Sequence, residues 1–430
     1  MSFWLWPWIR CISKAAADWL GRGVIFPYQV PAGLLVSVVA YNCRRPFPPL
    51  ASGTALMPRF FCDTAIPQDL LPGTPAAAAD WLVAASEPYG LTFTRDGDRL
   101  TTDGPFGRLT LTVGTDALRL RAESGDRGLL ERLRGSVTEQ LIALLGEDAT
   151  IVWTGDVETG ALFADFREIR VAAVRDLTPR LRRITFRGRD LGRFATSDNL
   201  HVRLYLPPPG LEAPSWPRPG PDGRPVLPEP ERRPAVRYYT LRRVDADAGE
   251  LDIDVVLHDD DGHSGDAPGA DFARRAQPGD LCGMSGPYGL GIRSASWYLL
   301  AGDETALPAI ARILEELPDD ARGTALIEVE DTADELPLQA PAGVAVRWLH
   351  RQSAEGTGPL VEAVRSLTLP TDTASLFAWV ACEFDDLARL REHLRGCGID
   401  RDRMLAVAYW RRAAPVTPSK AASPDRGTSG

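Results

Sequence analysis

Between residues 293 and 412 short apolar runs alternate with segments of helical period. The runs Trp297–Ala301, Ala325–Val329, Val344–Leu349, Leu376–Ala381 and Met404–Tyr409 are nearly continuous and of strand length. The segments Ala306–Leu317, Leu360–Leu367 and Asp385–Gly396 repeat apolar positions every three to four residues. Strand and helix in turn predict an α/β domain with a parallel, doubly wound sheet, whose ligands sit beyond the carboxyl ends of the strands. Upstream, Glu168–Val174, Leu181–Phe186, Leu200–Leu206, Val236–Arg242, Leu251–Leu257 and Leu281–Ser285 are six strand candidates, with one helical stretch near Ala270–Ala276. That pattern predicts a six-stranded antiparallel β-barrel over residues 165–292. The Pro/Gly-rich run Pro207–Pro234 interrupts it and is expected to be an exposed loop, because prolines do not sit in central strands.

Residues 58–155 predict a small α+β unit. Phe60–Cys62, Leu91–Thr94, Arg99–Thr102, Gly107–Val113, Ala117–Ala122 and Ile151–Trp153 are its strand candidates, and Ala76–Ser86 and Leu129–Leu145 its helices. It has no histidine, cofactor motif or nucleophile–base pair, so it is expected to be an accessory domain. Residues 1–57 are rich in Trp and Pro, and the apolar run Pro31–Tyr41 is well short of the roughly 20 residues that span a bilayer. They are expected to be a disordered extension or an over-called start with Met57 as initiator; a weak membrane anchor is the alternative. Residues 413–430 have no apolar period and are expected to be a disordered tail.

The formal charge of −10 argues against nucleic-acid binding. The six cysteines form no CxxC pair and the five histidines no ligand spacing, so no metal site is expected and a cytoplasmic, reducing setting fits. The chemistry concentrates in two places. Gly302-Asp303-Glu304-Thr305-Ala306-Leu307-Pro308 joins a strand to a helix, and a helix start offers free N–H groups to phosphates. Arg237-Tyr238-Tyr239-Thr240 lies on a barrel strand. This Arg-x-Tyr-Thr pattern resembles the flavin motif of the ferredoxin-reductase superfamily, which implies an arginine on the pyrophosphate, an aromatic ring over the flavin face and a threonine at the flavin N5; read alone, it is equally a strand with a surface arginine and two core tyrosines.

These two motifs, the Gly286-Pro287-Tyr288-Gly289 turn, and Trp379–Glu383 with Tyr409-Trp410-Arg411 resemble the siderophore-interacting proteins. These are FAD-dependent ferric-siderophore reductases of the ferredoxin-reductase superfamily. The resemblance covers about Glu168 to Arg412; residues 58–155 separately resemble a small domain of unassigned function, without its usual Cys-x-His segment. It implies an FAD-binding barrel and an NAD(P)-binding-like domain, with NADPH, NADH or ferredoxin as electron donor and a ferric siderophore as acceptor. It implies catalytic roles for Thr240 and Tyr239. It implies cofactor contacts at Arg237, Tyr238, Tyr239, Thr240, His258, Gly269, Ala270, Gly302, Asp303, Glu304, Thr305, Pro308, Glu383 and Trp410. Arg182, Arg183 and Arg203 are candidates to steer an anionic siderophore. The chain departs from the family at Ala267-Pro268-Gly269-Ala270, where a serine is missing, in the acidic run Asp259–Asp261, and at Cys382, which replaces a glycine. Acidic residues Glu328, Glu330 and Asp331 after the second strand favour a ribose 2′-hydroxyl, and Arg351 favours a 2′-phosphate. Two alternatives remain: a flavin reductase or electron-transfer protein with another acceptor, and a ferric-chelate binding protein without turnover.

Overall fold

The structure, a computed structural model, describes residues 59–87, 91–211, 213–257, 267–289, 291–351 and 358–412. The readings made for residues 1–57, His258, Asp259–Asp261 and 413–430 fall outside the described residues.

The first sheet contains β1 (Phe60–Pro67), β2 (Thr94–Asp96), β3 (Arg99–Gly104), β4 (Gly107–Val113), β5 (Ala117–Ser124) and β6 (Thr154–Gly155), in the order β2-β3-β4-β5-β1-β6. Its period-two pattern buries Leu109, Leu111, Leu118, Leu120 and Ala122 against helices α1 (Pro75–Ser86) and α2 (Arg127–Leu145). Both helices begin on side-chain caps. Thr74 Oγ1 accepts from Ala77 N at 3.2 Å and Asp126 Oδ1 from Leu129 N at 2.9 Å. The expected closing strand Ile151–Trp153 is irregular; Ile151 and Trp153 are buried, and pairing begins only at Thr154.

The second sheet contains β7 (Phe166–Thr178), β8 (Leu181–Gly188), β9 (His201–Leu206), β12 (Ala235–Thr240), β13 (Arg243–Asp245), β14 (Glu250–Val256) and β15 (Leu281–Tyr288). It is antiparallel and has seven strands rather than six, in the order β12-β9-β15-β7-β8-β14-β13. The additional strand is short Arg243–Asp245, which lies just past the strand candidate Val236–Arg242 and was given no strand of its own. Helix α3 (Pro268–Arg275) packs Phe272 and Ala273 into the core of this sheet. The Pro207–Pro234 segment is not simply an exposed loop. It folds into a hairpin of β10 (Arg218–Pro219) and β11 (Pro225–Val226), and Trp216 is buried against Phe166 and Tyr205. Pro219 and Pro225 face each other at the turn end of this two-stranded ribbon, and the other prolines lie outside it.

The third sheet is parallel throughout: β16 (Trp297–Gly302), β17 (Arg322–Val329), β18 (Gly343–His350), β19 (Leu376–Glu383) and β20 (Met404–Trp410), ordered β18-β17-β16-β19-β20. Helix α4 (Leu307–Glu316) covers one face, and α5 (Pro359–Arg365) and α6 (Phe384–Gly396) cover the other. The order reverses at β16, which places a topological switch point at its carboxyl end.

Phe186 is fully buried in the core of the second sheet. Phe186→Ala is expected to lower the unfolding free energy by about 3–5 kcal/mol, read from the urea midpoint by circular dichroism.

Candidate functional site

Strand β12 is an edge strand, bonded to β9 from Ala235↔Leu206 to Thr240↔His201. Arg237 and Tyr239 share one of its faces, and Tyr238 and Thr240 the other. The Tyr239 ring packs against the sheet core, and its hydroxyl comes to the start of α3. A Cβ added at Gly269 would lie 1.9 Å from Tyr239 Oη, so any larger residue here would have to displace the Tyr239 ring. Ala267 provides no side-chain cap for α3, which leaves the first-turn N–H groups of Gly269 and Ala270 beside Tyr239. Arg237 is exposed nearby, and among the described residues no carboxylate pairs with it. The chain therefore brings Arg237, Tyr239, Gly269 and Ala270 to one place from two distant segments. Burial pushes the Tyr239 phenol up to about 12, so it stays a neutral donor.

Thr240 is buried where the second and third sheets meet. Its side chain lies near the hydroxyl of Tyr409 of β20, and Tyr409 Oη lies 2.5 Å from His201 Nε2. Burial, then the charge of Arg312, pulls His201 down to about 4, so its ring is neutral. The sequence reading passed over His201. Its one signal was register, because it faces Thr240 directly across the β9–β12 pair.

At the carboxyl end of β16, a Cβ at Gly302 would stand 2.4 Å from Ala306 Cβ and 2.5 Å from the Ala381 carbonyl, so only glycine lets the turn close onto α4. Asp303 is buried. Its Oδ1 accepts from Thr305 N at 3.0 Å and from Thr305 Oγ1 at 2.5 Å, and its Oδ2 from Trp410 Nε1 at 2.7 Å. Burial, then the charge of Glu304, pushes Asp303 up to about 6. Asp303 and Trp410 thus hold each other. Glu304 pairs with Arg351, which also contacts Glu328 at 2.6 Å and Glu330 at 3.4 Å. Pro308 is buried in the first turn of α4. Glu383 caps α6, accepting from Asp385 N at 2.6 Å and Asp386 N at 3.2 Å, and its other oxygen accepts from Arg412 N at 3.0 Å.

The profile of the family described as "Siderophore-interacting FAD-binding domain" matches residues 170–290, and that described as "Siderophore-interacting protein" matches residues 295–413. The chain is 35% identical over 239 residues to the ferric vibriobactin reductase ViuB of Vibrio cholerae, covering 54% of this chain and 84% of that one. The chain belongs to the siderophore-interacting protein family. It is also 36% identical over 256 residues to an uncharacterised protein of Mycobacterium tuberculosis, covering 56% of this chain and 89% of that one. Among solved structures, the siderophore-interacting protein SipS from Aeromonas hydrophila is 37% identical, with a TM-score of 0.49, over 58% of this chain and 93% of that one.

Seen as a siderophore-interacting protein, the chain divides its candidate arginines unequally. Arg182 is held by Asp176 at 2.6 Å and donates to the Ala273 carbonyl at 3.0 Å. Arg183 makes a two-pronged pair with Asp254 at 2.7 and 2.8 Å. Both guanidiniums are engaged by neighbours in their own sheet and α3. Arg203 donates from Nε to Tyr238 Oη at 2.6 Å, and no carboxylate among the described residues pairs with it. Cys382 is buried between β19 and its helices, and burial pushes its thiol up, so it packs and is not a poised thiolate. Among the described residues no group of three or more His, Cys, Asp or Glu is placed to hold a metal ion, and no helix is long and apolar enough to cross a membrane.

His201 generates a pH test. Its folded-state pKa lies below the usual 6.5, so the unfolded chain binds more protons between about pH 4 and 6.5, and stability falls as pH drops through that window. Asp303 is shifted the other way and titrates with the opposite sign in an overlapping range. The comparison is therefore made against His201→Asn. Denaturation at pH 7 and pH 4.5 is expected to show the variant gaining stability relative to the wild type on acidification. A pH-independent difference would mean that His201 is not held neutral.

Proposed function

We propose that this protein is an FAD-dependent oxidoreductase that reduces a ferric siderophore and so releases Fe(II). The observation that carries this reading is the meeting of Arg237 and Tyr239 with the uncapped start of α3 at Gly269, inside the stretch matched by the family's FAD-binding profile. The residues fit the group. A guanidinium with no carboxylate partner among the described residues and helix N–H donors without a side-chain cap suit a diphosphate, and the absence of a Cβ at Gly269 allows close approach. FAD, when bound, supplies a two-electron hydride acceptor that can pass electrons singly to Fe(III).

In this reading Arg237, Gly269 and Ala270 hold the diphosphate, with the Tyr239 phenol as a neutral donor beside them. Tyr238 and Thr240 lie on the face that takes the ring system, and Thr240 presents its hydroxyl to the reacting edge. Tyr409, fixed by His201, closes that edge against water. The Gly302–Pro308 turn receives the donor nucleotide, and Asp303 keeps Trp410 beside it. The seven-stranded sheet is read as the FAD-binding barrel (residues 165–292), the parallel sheet as the nucleotide domain (293–412) and residues 58–155 as an accessory domain. The setting proposed is the cytoplasm, and ferredoxin is the alternative donor.

NADH is favoured over NADPH. Arg351 is the cation at the end of β18, and Glu304, Glu328 and Glu330 already surround it, leaving the group net negative toward a 2′-phosphate.

The purified protein is expected to be yellow and to carry FAD. Anaerobic mixing with NADH, NADPH and reduced ferredoxin in turn identifies the donor, and ferric chelates added next should reoxidise the flavin. Arg237→Ala is expected to weaken FAD binding at least tenfold, since a charged hydrogen bond contributes about 1.5–3 kcal/mol. Unchanged flavin affinity in a folded variant overturns the assignment. Glu330→Gln is expected to raise the ratio of kcat/KM for NADPH to that for NADH; a fixed ratio removes Arg351 from donor selection.

A further inference from the structure

Helix α2 belongs to the first sheet's unit, yet its residues reach the second sheet. Arg132 pairs with Asp165 and stands over the Tyr288 ring, with its guanidinium carbon 4.1 Å from the ring centroid. Arg203 stands over the same ring at 4.9 Å and over Tyr238 at 5.3 Å. The two phenol rings meet edge to face at 6.1 Å. Across the ladder, Arg203 pairs with Tyr238 on one side and Ser285 on the other, so all three share a sheet face. Ser285 Oγ lies 3.0 Å from Tyr288 Oη and 3.2 Å from Tyr205 Oη.

Two guanidiniums and two tyrosine rings are thus gathered with one directly paired carboxylate, Asp165. Glu139, further along α2, is also within reach of the field of Arg203; burial raises its carboxyl, and Arg224 and Arg203 oppose that. Tyr238 is partly exposed and lies two residues from Thr240 on the same strand face, about 7 Å along the strand. The position of α2 is fixed by several bonds. Ala164 N donates to Glu131 Oε2 at 2.9 Å, Thr138 Oγ1 donates to the Asp222 carbonyl at 2.7 Å, and Arg193 pairs with Asp126 at 3.4 Å.

We propose that α2 forms one wall of the acceptor site and that Arg132, with Arg203, Tyr238 and Tyr288, binds anionic aromatic iron chelates, so that residues 59–155 set the acceptor range. The inference rests on the ferric-chelate reductase reading. Partly buried guanidiniums over aromatic rings, one of which is exposed, suit a ligand with negative charge and flat rings, as in an iron–catecholate complex. A neutral chelate lacks the charge that this group recognises.

The test uses the full chain loaded with FAD and two acceptors, anionic iron(III) tris(catecholate) and neutral iron(III) tris(acetohydroxamate). Arg132→Met is expected to raise KM for the catecholate relative to that for the hydroxamate about tenfold, with kcat little changed. Arg132→Lys is expected to recover part of the ratio, and raising the salt concentration to erase the wild-type preference. Glu139→Gln removes a negative charge from the same wall and is expected to shift the ratio the opposite way, which keeps the test open if Arg132→Met does not fold. Unchanged ratios in folded Arg132→Met and Glu139→Gln proteins would falsify the inference. A wild-type protein whose reduced flavin is reoxidised by neither chelate instead overturns the reductase reading itself.

Discussion

Among the described residues strand β12 has a bonded neighbour on one side only, and the site follows from that constraint. An edge strand must cover its second row of polar groups or leave it to a ligand. Here Arg242 N reaches the Asp252 carbonyl at 2.9 Å just beyond the strand, and α3 leans on the Tyr239 hydroxyl. Between those two supports the edge stays open where Arg237 and the first turn of α3 converge. Closing the sheet fully would remove the recess, and leaving it wholly open would expose the core around Phe186 and Phe194.

The carboxyl edge of the parallel sheet uses a different device. Asp303 is a buried carboxylate that makes three hydrogen bonds, and one of them spans from the first strand of this sheet to its last. That contact fixes the turn and the end of the chain's final strand as one piece. Beside it, Tyr409 ties the same strand to His201 of the neighbouring sheet. Tyr409 is the extra residue where the ladder steps from Cys382↔Ala408 to Glu383↔Trp410, and with this irregularity one strand end serves both sheets.

Most of the architecture was legible in the sequence because both periodic signals were strong. The α/β elements were placed to within a few residues, since fully buried strands such as β19 read as unbroken apolar runs. The second sheet was read one strand short because Arg243–Asp245 is polar and only three residues long. The site was legible in part. Local motifs marked Arg237–Thr240 and Gly302–Pro308, where glycine and charge carry the signal. Partners far apart in sequence were not legible. Nothing in the composition links Trp410 to Asp303, or His201 to Tyr409. The arginines at 182 and 183 looked equivalent to Arg203 because all three lie on strands; only the register shows that Asp176 and Asp254 hold the first two.

Arg134 is almost wholly buried, and its three guanidinium nitrogens have no hydrogen-bond partner among the described residues. It lies against Gly223, where a Cβ would stand 2.7 Å from Nε and where φ is +89°. A buried cation without a partner costs stability, and an apolar side chain of like volume would fill that space more cheaply. What the guanidinium does in the structure is fill the space that a Cβ at residue 223 would need. Only a hairpin with a glycine in the left-handed region at this point can seat against α2, so the insertion and the helix are matched to each other as a key is to its ward. A mismatch in either would be felt as misassembly of the two layers rather than as a weaker core.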